Sequence, residues 1–173
     1  MEQILIQAIG VMAFAILWLS FQFDDRKVLV NLRSFHNIVY GIHFYFLNAL
    51  TASALQIMAV ARNFVFLNRT KHKAFNGKIW LFIFLILFLI TGIITWEGPV
   101  SILSFFGMGL GTLSIWSEKT QHIRLFTLLS TFFWLIHNFI IVSFAGIFFS
   151  IITIISLSVA MLRFKRKISS VQI

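Results

Sequence analysis

Long apolar stretches constrain this chain more than any other feature of its sequence. A hydrocarbon core of about 30 Å requires roughly 20 helical residues to cross it. Residues 4–23 form an apolar stretch that is long enough for one crossing. Three further stretches are each long enough for two crossings: residues 28–67, 79–117 and 123–164. The sequence therefore predicts seven transmembrane helices.

Each of the three longer stretches is expected to turn back once. Glu97-Gly98-Pro99 is a strong helix breaker. The other two turns are expected at the weakly apolar segment Asn48–Thr51 and near Ser143–Gly146. Residues 4–23 are expected to remain as a span, because Met1–Gln3 lacks the positive charge of a signal peptide.

The composition excludes a soluble protein. Hydrophobic residues make up 60% of the 173 residues and charged residues only 11%, whereas a soluble domain has roughly a quarter of its residues charged. The chain has no Cys, which excludes thiol redox chemistry and Cys-ligated metals. Because no catalytic or metal-binding motif occurs either, we predict no enzyme activity and no cofactor.

The positive charges indicate the orientation. All 14 Lys and Arg residues fall on one side of the predicted membrane, and basic loops are retained in the cytoplasm. The N-terminus is thus expected outside and the C-terminus in the cytoplasm, and the net charge of +9 is explained without nucleic acid. The residues expected at anionic lipid headgroups are Arg62, Arg69, Lys71, Lys73, Lys165, Arg166 and Lys167. For Arg62, which lies inside the third span, the alternatives are bonds to backbone carbonyls or contact with an anionic substrate.

The sequence also contains a weak internal repeat with an offset of 94 residues. His43 in the second span aligns with His137 in the sixth, and Tyr40 aligns with Trp134. A three-helix unit ends on the opposite side of the membrane from where it began, so a parallel copy needs one extra crossing. The predicted fold class is therefore an all-α polytopic membrane protein: two parallel three-helix repeats, residues 1–67 and 97–173, joined by a basic loop and linker helix at residues 68–96.

The chain resembles the YgjV family of bacterial inner-membrane proteins over nearly its whole length. The resemblance is carried by Gly41-Ile42-His43-Phe44, Trp134-Leu135-Ile136-His137-Asn138-Phe139 and Leu162-Arg163-Phe164. It implies a location in the bacterial inner membrane, and it contributes no catalytic residues to the set of candidates. The predicted architecture is also similar to that of the SWEET, SemiSWEET and PQ-loop carriers, although the first span has Gln7 without the adjacent proline of those carriers.

Polar residues inside the predicted spans are few, and such residues usually face a bundle interior or a functional cavity. We expect His43 and His137 at equal depth, with Tyr40 and Trp134 forming an aromatic floor one turn beneath them. The complete set of candidate solute-binding residues is His43, His137, Tyr40, Trp134, Gln56, Asn63 and Asn138. The alternative is that both histidines merely bond neighbouring carbonyls and fix helix packing.

Two functions follow from these expectations. The first is a small-solute carrier that works by alternating access between the repeats and takes a small polar organic solute. The second is a non-transporting membrane protein that binds a partner or anionic lipid through its basic cytoplasmic face. A polar cavity between the repeats favours the first, and a dry, filled interface favours the second.

Overall fold

The fold is known from a computed structural model that describes residues 2–20, 23, 26–69, 71–117 and 119–171. Side chains are described for all of these except residues 2, 26, 120 and 163–171. In these ranges the chain forms a 3₁₀ turn at Lys73–Phe75 and seven α-helices: α1 (Glu2–Ser20), α2 (Arg26–Phe46), α3 (Leu50–Asn68), α4 (Ile79–Ile94), α5 (Val100–Trp116), α6 (Thr120–Ile140) and α7 (Phe144–Val171).

The all-helical class is confirmed. Four of these helices, α1, α3, α6 and α7, are long and apolar enough to span a membrane, and α4 and α5 are shorter apolar helices. The first helix is described from Glu2 to Ser20, residues 21 and 22 lie outside the described ranges, and residue 23, the predicted end of the span, is not helical. The turns after α2 and α6 come one to three residues earlier than expected.

The helices pack as two triplets. Helix α2 lies against α1 and α3, and α6 lies against α5 and α7. The triplets meet through α3 against α5 and through α1 against α7, while α4 packs on α3 and α5. The first helix of each triplet therefore contacts the third helix of the other.

The distribution of side chains is that of a protein surrounded by lipid. Large apolar residues point outward, such as Ile94 (77% exposed) at the end of α4. Polar residues are buried instead, including Thr112 and His43, both 0% exposed. Water would not favour this arrangement, but a bilayer does, because it solvates apolar side chains and leaves polar groups to find partners inside.

The turns after α2 and α6 have the same backbone conformation. Asn48 and Val142, 94 residues apart, have φ angles of 57° and 55°. After each, an amide donates a 2.9 Å bond to a carbonyl five residues back, from Ala49 to Phe44 and from Ser143 to Asn138. Asparagine tolerates this left-handed region, whereas a β-branched residue is strained there.

We therefore expect Val142→Asn to stabilise the protein by about 1 kcal/mol. The strain is removed, and little packing is lost because Val142 is 52% exposed. The thermal unfolding midpoint in detergent measures the effect, with Asn48→Val as the reverse exchange, which should lower the midpoint. A lower midpoint for Val142→Asn would contradict this account.

Candidate functional site

A cavity of about 180 Å³, with many polar residues in its wall, lies within the helix bundle. Every helix except α4 contributes to its wall, so both triplets enclose it. The residues that line it are Leu17 of α1; Arg33, His36, Asn37 and Tyr40 of α2; Gln56, Arg62 and Asn63 of α3; Gly107, Met108, Gly111, Ser114 and Ile115 of α5; Thr127, Ser130, Thr131, Trp134 and Asn138 of α6; and Phe149, Ser150 and Thr153 of α7.

Helices α2 and α6 present matching faces to the cavity. On each helix the lining residues recur at positions i, i+3, i+4 and i+7, which form one helical face. The two sets are separated by 94 residues at every position: Arg33, His36, Asn37 and Tyr40 on α2, and Thr127, Ser130, Thr131 and Trp134 on α6.

Equivalent hydrogen bonds hold these two faces in place. The Nδ1 atom of His36 lies 2.8 Å from the carbonyl oxygen of Ala13 on α1. At the corresponding place in the other triplet, the Ser130 hydroxyl donates a 2.6 Å bond to the Gly107 carbonyl on α5. Gly107 also makes room for Trp134, because a Cβ at this position would lie 2.8 Å from the indole nitrogen.

A guanidinium group is buried in the wall of the cavity. Arg62 is only 3% exposed, and it lies six residues, or roughly 9 Å, before the end of α3. Its Nη2 atom donates a 2.8 Å bond to the Asn63 side-chain oxygen, which also accepts from Nε at 3.2 Å. Its Nη1 atom donates a 2.8 Å bond to the Thr112 hydroxyl and contacts the Met108 sulfur at 3.4 Å.

Arg62 was expected to reach lipid headgroups, but the structure places it in the bundle interior. Asn63, Thr112 and Met108 supply enough acceptors to hold the side chain inward. Arg69 is also buried, at 8% exposed: its Nη1 atom donates to the Trp116 carbonyl, and its Cζ atom lies 4.8 Å from the centre of the indole ring.

The other residues expected at headgroups divide into two groups. Lys71 and Lys73 are exposed beside the 3₁₀ turn, as a headgroup contact requires. The side chains of Lys165, Arg166 and Lys167 lie outside the described residues.

Buried side chains close the end of the cavity nearest the α2–α3 and α6–α7 turns. The Tyr40 hydroxyl donates a 3.4 Å bond to the Asn138 side-chain oxygen, which joins α2 to α6. Behind this pair, the rings of Phe44 and Trp134 stack with centroids 5.6 Å apart. Gly146 of α7 fits against Tyr40 and Asn138 so closely that a Cβ would lie 2.5 Å from each.

The two histidines do not share this cavity, which corrects the expected arrangement. His43 and His137 are both fully buried, but Phe44 lies between them, 5.8 Å from one ring and 5.4 Å from the other. His43 binds the Ile6 carbonyl through Nδ1 and the Ser143 hydroxyl through Nε2, both at 2.8 Å. This bonding matches the packing alternative for His43. The Nδ1 atom of His137 has no hydrogen-bond partner among the described residues.

The remaining candidate residues meet as expected, and others join them. Tyr40, Trp134, Gln56, Asn63 and Asn138 all line the cavity. The candidate set omitted Arg33, His36, Asn37, Ser130 and Thr131, which also line it. The signal that could have found them is the helical spacing: each lies three, four or seven residues before Tyr40 or Trp134, on the same face.

Comparisons with known proteins agree with the membrane assignment. A family model described as bacterial inner membrane protein, Imp-YgjV, matches residues 4–168. The chain is 31% identical over 137 residues to the inner membrane protein YgjV of Escherichia coli strain K12, which covers 78% of this chain and 70% of that protein. No solved structure matches the chain. A match over almost the entire length, together with the buried polar and exposed apolar side chains, means that this chain belongs to the Imp-YgjV family of bacterial inner membrane proteins.

Proposed function

We propose that this protein is a small-solute carrier whose substrate site is the central cavity. The observation that carries the proposal is the position of the cavity, at the junction of two helix triplets that both contribute polar side chains. Carriers of many folds bind their substrate midway across the membrane, between repeated units that move against each other. A non-transporting protein would be expected to have a dry, filled interface at this junction instead.

Several equivalences support a duplicated, seven-span architecture with α4 as the linker. The cavity faces of α2 and α6, the turns at Asn48 and Val142, and the bonds of His36 and Ser130 all recur at an offset of 94 residues. The contacts of α3 with α5 and of α7 with α1 are those that a pseudo-twofold axis would relate. Two such units can rock against each other about that axis.

The accessibility of the lining residues supports a cavity that faces the basic side of the protein. Tyr40 and Asn138, at one end, are buried. Lining residues nearer the basic loops are partly exposed: Leu17, Arg33, Ile115 and Thr127. With the positive-inside rule, this conformation is inward-facing, with the N-terminus outside and the outer gate closed by the Tyr40–Asn138 bond.

The mode of transport follows from the absence of embedded acidic residues. The sequence has five acidic residues: Glu2, Asp24, Asp25, Glu97 and Glu118. Glu2 begins α1 and Glu97 lies between α4 and α5, and the other three fall outside the apolar stretches of the sequence. Proton- and sodium-coupled carriers commonly use carboxylates within the membrane. We therefore expect a facilitator that equilibrates its solute rather than a coupled pump.

Because the chain has no Cys, a single introduced Cys can test both the site and its orientation. Thr153 lines the cavity, whereas its neighbour Ile152 is 41% exposed on the outside of α7 and does not line it. We expect an impermeant methanethiosulfonate to label Thr153→Cys in inverted vesicles but not in right-side-out vesicles. Labelling should stop solute counterflow in proteoliposomes, because the added group fills the cavity.

Ile152→Cys is the matched control, since labelling it should leave counterflow unchanged. The assay uses neutral sugars, amino acids and small organic acids as solutes, one at a time. Absence of counterflow for all of them would contradict a carrier and favour the binding protein with a basic face. Equal inhibition through both Cys positions would mean that the cavity is not the pathway.

A further inference from the structure

The charge of the cavity, rather than its shape, points to a class of solute. The guanidinium of Arg62 lines it, and none of the described lining residues is Asp or Glu. The sequence has no acidic residue between positions 26 and 96 or between positions 119 and 173. The printed partners of Arg62 in the described wall of the cavity therefore include no carboxylate.

Arg62 carries the argument because its partners are known. Asn63, Thr112 and Met108 are all uncharged, and the ring of Phe88, 5.9 Å from Cζ, offers only its π face. The second N–H of Nη2 has no acceptor among the described residues. A buried cation is stable when an anion pairs with it, and a guanidinium binds carboxylates and phosphates through two parallel hydrogen bonds.

We propose that the cavity binds a small oxyanion, a carboxylate or phosphate, with Arg62 as its main ligand. That the anion is transported rests on the proposed carrier function, whereas binding of the anion in the cavity does not. Gln56 and Asn37 line the same cavity, and their side-chain amides can donate hydrogen bonds to the rest of the solute. The volume limits the size of that solute, since a cavity of roughly 150 Å³ in another protein holds benzene.

The test compares probes of nearly equal size and different charge. Lactate has a carboxylate where lactamide has an uncharged amide. Inorganic phosphate is the third probe, and comparing it with lactate shows whether the cavity binds phosphates or carboxylates. Binding is measured on the full chain in detergent as the ligand-induced rise in unfolding temperature. Transport is measured separately, as counterflow in proteoliposomes. We expect lactate or phosphate to bind and lactamide not to bind.

Two substitutions remove the anion site in different ways. Arg62→Gln deletes the charge, and we expect the affinity for the anion to fall at least about tenfold. Thr112→Asp places a carboxylate where the Thr112 hydroxyl accepts from Nη1. The new carboxylate should compete with the solute and abolish binding while keeping the protein folded, so the test does not depend on Arg62→Gln being stable.

Arg69→Gln is the matched control, because Arg69 is also a buried arginine of the same chain segment but does not line the cavity. It should keep full anion binding. Anion binding without counterflow would support this inference and contradict the carrier function. Three outcomes would overturn the inference: lactamide binds or is transported as well as lactate, anion binding survives Thr112→Asp, or neither oxyanion binds. Counterflow of lactamide would still be consistent with the carrier function.

Discussion

Replacing Glu97 with alanine is expected to destabilise the protein by about 1–2 kcal/mol. The carboxylate accepts 2.8 Å hydrogen bonds from the amides of Leu50 and Thr51, one on each oxygen. These amides begin α3, where the first N–H groups have no partner within the helix. Their loss is costly because the positive end of the helix dipole also favours the carboxylate.

The measurement is the thermal unfolding midpoint of purified protein in detergent. Glu97→Gln serves as a graded comparison, because its amide keeps one acceptor oxygen and loses the charge. We expect it to fall between the alanine variant and the original protein. If Glu97→Ala has the same thermal unfolding midpoint as the unsubstituted protein, the bonds from the Leu50 and Thr51 amides to the carboxylate do not stabilise α3.

The role of Glu97 shows where sequence reasoning stops. The sequence correctly identified Glu97-Gly98-Pro99 as the break between α4 and α5, because Gly and Pro act locally on the backbone. That the carboxylate caps α3, 47 residues away along the chain, depends on tertiary packing that no local pattern encodes. The same holds for Gln7, which binds the start of α7 through the Ala145 amide and the Val142 carbonyl.

The cavity was predictable in part for a similar reason. Hydropathy and helical periodicity gave the helices and the facing residues Tyr40 and Trp134, since both depend on regular spacing. The prediction that His43 and His137 line one cavity was wrong, because two residues at equal depth need not face the same space. The ring of Phe44 lies between the two imidazoles. The prediction that Arg62 reaches lipid headgroups was wrong because headgroups and interior acceptors compete for a long side chain. Only the fold shows that the Thr112 hydroxyl lies within reach of its guanidinium.

Gly146→Ala is expected to destabilise the protein by about 1–3 kcal/mol and to open the outer end of the cavity. A Cβ at Gly146 would lie 2.5 Å from both the Tyr40 hydroxyl and the Asn138 side chain, whereas ordinary contacts are 3.4–4 Å. The tyrosine cannot move away freely, because its ring packs on Phe44 at 4.3 Å and on His43 at 5.5 Å. The added methyl group therefore strains the Tyr40–Asn138 bond, which closes that end.

Gly92→Ala is the matched control, since a Cβ there meets no atom within 4 Å. Within α4, alanine favours the helix over glycine by up to about 1 kcal/mol, so this variant should be at least as stable as the original protein. The opening is measured by combining each variant with Thr153→Cys in right-side-out vesicles. We expect an impermeant thiol reagent to label the introduced thiol only in the Gly146→Ala background, because the outer gate is then released. If Gly146→Ala matches Gly92→Ala in both unfolding midpoint and labelling, the Tyr40–Asn138 pair is not a gate, since a displaced gate must show in at least one of these measurements.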